Sequence, residues 1–327
     1  MFLLAYLNHT KLNINSHFML HDFFTSHQGE LAALFTAFLW TITALAFESA
    51  GKKIGSLQVN LLRLSMAFVF LSLFSWFMRG EIFPTDASTH NWIWLSISGL
   101  VGFVLGDLVL FQAYVVVGAR ISMLIMALAP GVAALIGWIW LGETVTLKQG
   151  IAMMLTFSGI ALVILRREIH DPEKPKARRK VQFSYPIAGL LLAFGGAVGQ
   201  GGGLVLSKYG MADYDVFSAV QIRVLTGVVG FALIFTFLGR WKKLTEALKN
   251  RRAISRTAIG AFFGPFLGVS FSLWAVKFTT TGVASALMSI VPVLIIPFSV
   301  LIMKEKFNPK ELVGAFVTIL GVFLFFM

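Results

Sequence analysis

Ten apolar runs follow one another along this chain, broken only by short polar stretches. They lie at about 31–50, 57–78, 92–114, 119–141, 148–165, 184–207, 215–238, 256–276, 280–303 and 308–327. A helix needs roughly 20 apolar residues to cross the ~30 Å hydrocarbon core of a bilayer, and hydropathy fixes such spans to within a few residues. The fourth and ninth runs follow the third and eighth after very tight turns, around Gly118 and Thr280, so each pair is expected to form a helical hairpin. Charged residues make up 13% of the chain, hydrophobic residues 57%, and mean hydropathy is +0.82. A soluble domain carries about 25% charge. The reading is an all-α integral membrane protein of ten transmembrane helices, with the lipid bilayer as its surroundings.

The chain also repeats itself. Shifted by 162 residues, the stretch from Gly99 to Leu165 runs alongside Ala261 to Met327 without a gap. Gly102, Leu105, Gly106, Ala113, Met126, Pro130, Glu143, Lys148, Thr156, Gly159 and Leu162 fall on Gly264, Leu267, Gly268, Ala275, Met288, Pro292, Glu305, Lys310, Thr318, Gly321 and Leu324. Eleven matches in 67 apolar positions would mean little alone. The shared register of two glycines, a mid-span proline and an E-x4-K pair is much harder to reach by chance. A hydrophobic chain duplicated within itself is the signature of a secondary transporter.

Positive charge orients the spans. The connections after the first, third, fifth, seventh and ninth spans hold 20 Lys and Arg, whereas the other side holds five (Lys11, Arg79, Lys148, Lys208 and Lys277). The crowded side is expected in the cytoplasm, which places both termini outside. Residues 1–28 form a polar N-terminal extension with His9, His17, His21 and His27, expected to be disordered or interfacial, with translation from Met19 as an alternative start. A basic linker, 166–183, separates a first repeat (29–165) from a second (184–327). Five spans per half is an odd number, so the second half enters the membrane in the opposite sense. That makes two inverted five-helix repeats, the arrangement used for alternating access around a midplane site.

The pattern P-x11-GE before an apolar span (Pro130, Gly142, Glu143), with its partner at Pro292 and Glu305, resembles the EamA-like branch of the drug/metabolite transporter superfamily. Trp40 inside the first span and the stretch 264–292 are similar to it too. The resemblance covers residues 29 to 327. It implies ten helices in two inverted halves around a central cavity that moves small organic solutes, and a place in the plasma (bacterial inner) membrane. The chain departs from the pattern at Lys304, where the first half has Gly142. The family pattern also implies termini in the cytoplasm, opposite to the charge count.

An ionisable group at bilayer depth costs at least ~2.5–3.5 kcal/mol on insertion scales, so each needs a partner, a water cavity or a function. Asp107 is the deepest, about eight residues or ~12 Å from the end of the third span, ahead of Gln112 and Tyr114 on the same helix. Low dielectric in general favours the neutral form of a carboxylate, which suits a group that takes up and releases a proton. Asp107 is therefore a coupling candidate, with a structural carboxylate bonded to backbone or Arg63 as the alternative. Glu48 is the second coupling candidate, although an ion pair with Arg63 between the first two spans explains it equally. At a shift of 160, Glu48 and Arg63 fall on Lys208 and Arg223. The arginines are expected near opposite faces, either lining vestibules for anionic solutes or held structurally, with Lys208 and Arg223 served by Asp213, Asp215 or headgroups.

The remaining cavity candidates are Trp40, its counterpart Gln200, Gln221 and Trp274. Gln200 stands in GGAVGQGGG (195–203), where glycines 195, 199 and 203 share one helix face, for packing or as exposed backbone beside a solute. Pro130 and Pro292 each remove a backbone hydrogen bond within a span, and matched kinks suit hinges. Glu143–Lys148 and Glu305–Lys310 are expected to cap the turns before the fifth and tenth spans. Trp92, Trp94, Trp138 and Trp140 suit an interfacial belt or packing.

Other functions lack their residues. Five of the six histidines precede the third span, and His170 lies in the linker. The H-x3-H at His17 and His21 lies in the N-terminal extension and not in a span; with no paired mid-membrane aspartate, nucleophile elbow or Walker motif, neither catalysis nor direct ATP use is expected. No cysteine is present, which excludes disulfides and thiolate metal sites. No cofactor or metal is expected. The net charge of +12 reads as topology signal rather than a nucleic-acid face. The expected function is a proton- or gradient-coupled carrier of a small metabolite or drug, for which a monomer suffices because two halves close one cavity. A passive facilitator or channel and a non-transporting receptor subunit are the alternatives.

Overall fold

The computed structural model describes residues 24–165, 186–291, 293–295, 297 and 309–326. Expectations for residues 1–23, for the linker 166–183, and for Pro292 and Glu305 fall outside them. The described residues are helical, with no strand among them. The first two spans are α1 (Gln28–Ile54) and α2 (Ser56–Arg79), and the third is α3 (Thr89–Val116). The fourth span is two helices, α4 (Gly118–Met126) and α5 (Ala129–Leu141), and the fifth is α6 (Leu147–Leu165). In the second half come α7 (Ile187–Met211), α8 (Val216–Phe237), a short surface helix α9 (Trp241–Leu248), α10 (Arg251–Phe278), α11 (Thr281–Met288) and α12 (Pro309–Phe326). Among the described residues, α1, α2, α3, α7, α8 and α10 are each long and apolar enough to cross a bilayer. Phe77, Phe237, Ile139 and Leu147 stand exposed on the outside of the bundle, where lipid tails rather than water would meet them.

Local sequence sets the helix ends. Ser88 and Asn91 form a reciprocal cap on α3, and Asp215, Asn250 and Thr280 cap α8, α10 and α11. Such caps satisfy backbone donors that helix ends leave open. The hairpin between α3 and α4 turns on Gly118 at φ 83, a left-handed conformation that favours glycine.

The duplication recurs in three dimensions. Both α3 and α10 widen into a π-helical turn, Leu100–Gly106 and Phe262–Gly268. These segments are 162 residues apart. In each, the amide that follows reaches back five residues, from Asp107 to the Gly102 carbonyl and from Val269 to the Gly264 carbonyl. Pro265 sits inside the second turn without breaking the span, and such bulges are frequent at functional sites. The fourth and ninth spans also break at equivalent points. Leu128 N–H donates to Ile125 at 3.0 Å and Ile290 N–H to Leu287 at 3.4 Å. Pro130 therefore starts a new helix, α5, at its first turn, where a missing N–H costs nothing; it does not kink a continuous one.

The inverted halves meet along their last spans. A side chain on Gly159 would collide with Thr318, and one on Gly321 with Thr156. Each position is its partner's counterpart at the 162-residue shift, so α6 and α12 pack through a two-fold-like contact of small residues. The glycine stretch of α7 does similar work against α3. A Cβ on Gly199 would lie 2.5 Å from Gly106 Cα, and one on Gly203 would lie 2.9 Å from Gly102 Cα. These contacts realise the packing face expected from the four-residue spacing. Together they place α3, α7, α1 and α10 around one central space.

Candidate functional site

That space is a cavity of about 110 Å³ between the two halves. Its wall is built from equivalent positions of both repeats. Trp40 and Gln200, Arg63 and Arg223, Asp107 and Val269, Met126 and Met288, and Ala127 and Ser289 all line it. The positions are duplicated while most of the chemistry is not.

Three charges share this wall. Arg63 and Asp107 form an ion pair, both sides about 4% exposed. Arg63 Nε donates to Asn60 Oδ1 at 3.0 Å, and Asn60 Nδ2 donates to the Asp107 carbonyl at 3.3 Å. Gln200 Nε2 donates to the other Asp107 oxygen at 2.6 Å. The guanidinium of Arg63 lies 4.5 Å from the centre of the Phe111 ring and 5.7 Å from Phe103. Arg223 approaches Phe103 too, at 4.7 Å, so two guanidiniums flank one ring, a favourable arrangement for cations. Arg223 is 3% exposed, and its Nε has no hydrogen-bond partner among the described residues.

The chain matches the EamA-like transporter family over residues 27–165 and again over 187–327. It belongs to that family. This EamA-like protein is thus a multi-pass membrane transporter of small molecules and not an enzyme. A solved crystal structure covering 91% of this chain and 96% of its own shares the fold, with a TM-score of 0.63 at 17% identity. No curated protein matches the sequence.

Several sequence expectations for this transporter need correction. Arg63 pairs with Asp107, the alternative given for that carboxylate, and not with Glu48, which pairs with Lys52 one turn along its own helix, 2.6 Å away. Glu48, near the C-terminal end of α1, does not line the cavity. Arg63 and Arg223 do not stand in opposite vestibules. Each lies eight residues into a helix that starts from the opposite face, so both reach the middle. Of the remaining candidates, Trp40, Tyr114 and Gln200 line the cavity, whereas Gln112, Gln221 and Trp274 do not. Gln112 accepts a bond from Ser56 at 2.7 Å. Gln221 donates to Ser72 and to the Ile82 carbonyl, 2.9 and 2.7 Å away. Trp274 is part-exposed beside Phe278.

Glu143 caps a different helix from the one expected. Its Oε2 accepts the Thr281 N–H at 2.9 Å and the Thr281 hydroxyl at 2.5 Å, at the start of α11. Its Oε1 takes Lys208 Nζ at 2.7 Å, and Lys208 also donates to the Thr279 carbonyl. Lys208 is therefore served by Glu143 rather than Asp213 or Asp215. This cluster ties the end of α5 to the end of α7 and the α10–α11 turn, across the two halves. At the same face, Arg79 bonds Asp86 and Ser218, and the Tyr214 hydroxyl donates to Asp86 at 2.6 Å. The Tyr214 hydroxyl, seconded by Arg79, holds the Asp86 carboxyl below its usual range. Burial and the Asp86 charge raise Tyr214 to about 12. Nearby, Asn91 donates to the Gly210 carbonyl at 2.8 Å. At the other face, Arg256 to Ser49 is the polar tie between the halves among the described residues.

Asn60, Phe103 and the Glu143–Lys208–Thr281 cluster escaped the sequence reading. Asn60 alone carried a signal, since it precedes Arg63 by three residues on one helix face.

Proposed function

We propose that the protein is a secondary active carrier of a small organic solute, working by alternating access. What carries this reading is the asymmetry between faces: cross-repeat polar ties concentrate at the Glu143 and Arg79 face, while the cavity is walled by counterpart positions of both repeats. A carrier needs such a latch at one face and a looser closure at the other. The positive-inside count assigns the latched face to the outside of a bacterial inner membrane, so the conformation described here is closed outward. Among the described residues Asp107 is the sole carboxylate on the cavity wall, and it is the coupling candidate. A proton reaching it would release Arg63 and Gln200, changing the wall that the solute meets.

The test is flux into proteoliposomes with and without a pH gradient. Saturable uptake that responds to the gradient is expected, and Asp107→Asn should abolish the response. A variant that still concentrates solute against the gradient would remove Asp107 from the coupling role. Flux that never saturates would instead point to a channel.

A further inference from the structure

Resting on the reading of the cavity as the solute site, we propose that the solute is a small organic monoanion, a carboxylate on an apolar or aromatic body, received by Arg223. The duplication supplies the argument. In the first half, Arg63 on α2 meets Asp107, the residue directly after the π-helical turn of α3. In the second half, Arg223 holds the equivalent place on α8, but the residue directly after the equivalent turn is Val269. The cation recurs in both repeats and its anion in one only. Among the described residues the wall thus carries two guanidiniums and one carboxylate and no other charged side chain. Asp107 is already engaged by Arg63 and Gln200. Arg223 keeps an unpartnered Nε and is 3% exposed.

Arg223 feels the Asp107 charge across the wall but makes no bond to it, and a buried cation without its own hydrogen-bonded anion is stabilised most by a ligand that brings the missing charge. Guanidinium geometry suits a carboxylate, which can take two parallel bonds. One surplus positive charge calls for a monoanion. The rest of the wall, Trp40, Phe47, Phe111 and Met288 among it, suits an apolar body. At about 110 Å³, the cavity is of the order of the ~150 Å³ space that holds benzene.

The probe is benzoate, compared with benzamide and benzylamine, titrated against the purified full-length transporter in detergent. Affinity is read from tryptophan fluorescence and from the shift in melting temperature. Benzoate should bind at least tenfold more tightly than benzamide, and benzylamine should not bind. Arg223→Gln should bring benzoate down to the benzamide level, while Arg223→Lys keeps part of the preference. Val269→Asp would place an anion where the first repeat has one. It should abolish benzoate binding and raise the melting temperature of the empty protein, which a merely misfolded variant cannot do. The proposal is overturned if benzoate shows no advantage in the unmodified protein, including no binding of any of the three. It also fails if Val269→Asp leaves the benzoate preference intact. Benzoate-selective binding without flux would end the carrier reading and leave Arg223 as an anion receptor. Saturable flux of other solutes, indifferent to benzoate, would do the reverse.

Discussion

Asn60 shows how one side chain can order several charges. It accepts from Arg63 Nε, donates to the Asp107 carbonyl, and is fully buried. Its counterpart at the 160-residue shift is Val220, so the second repeat offers Arg223 no such support. Asn60→Ala leaves the Arg63 Nε without its acceptor, and an unsatisfied buried group costs about 1–3 kcal/mol. A lower melting temperature in detergent is expected, with a weakened pH response of flux because Arg63 is no longer fixed against Asp107. An unchanged melting temperature would show that Arg63 finds another acceptor. The sequence named Arg63, Asp107 and Gln200 because charge and amide groups inside apolar runs stand out. It offered Arg63 both Glu48 and Asp107 as partners without choosing between them, and gave Gln200 none, since residues 63, 107 and 200 lie on three helices whose facing sides only packing determines.

Whole helices divide the labour differently. Among the described residues, α6 and α12 contribute none to the cavity wall, and they pack on each other through Gly159, Thr318, Gly321 and Thr156. They hold the two repeats together without touching the candidate solute site. Gly321→Leu should therefore destabilise the protein by about 1–3 kcal/mol through overpacking while benzoate affinity stays unchanged. A change in affinity would connect this pair to the cavity. The matched π-helical turns behave otherwise, because each ends at a wall residue, Asp107 or Val269. The glycine register foretold close packing there, and Gly199 and Gly203 do meet Gly106 and Gly102. The extra residue per turn had no signal in hydropathy, since a π-turn buries the same apolar side chains as an α-turn.

Across the whole molecule, the proposed alternating access would have the latched face decide which side the cavity sees. Glu143→Gln removes the charge that holds Lys208 and weakens the cap on α11. The chain has no cysteine, so a single Leu204→Cys on the cavity wall reports access cleanly. Labelling by an impermeant reagent added outside should rise several-fold in the Glu143→Gln background. No rise would mean either that the latch does not gate this cavity or that its face is cytoplasmic, and labelling of inverted vesicles separates the two. The Arg79–Asp86–Tyr214 tie has its own pH window. Asp86, depressed below 3.8, stabilises the face above about that pH and loses its contribution as pH falls through its folded value. Tyr214, raised to about 12, contributes fully below about 10 and loses it as pH rises through 12. Melting temperature should hence be flat at neutral pH and drop at both extremes, and Asp86→Asn should flatten the acid limb. Both groups are part-exposed, so screening keeps these effects small.

The sequence by itself determined the apolar spans, the duplication, and the short list of buried polar groups. Hydrophobic length is a one-dimensional quantity that lipid reads directly. Only the tertiary structure decided which charges meet. Arg63 found Asp107 and not Glu48, Lys208 found Glu143, and Arg223 was left facing the cavity. Those outcomes depend on how inverted helices rotate about their axes when glycines let α7 close on α3, and no local pattern encodes that rotation.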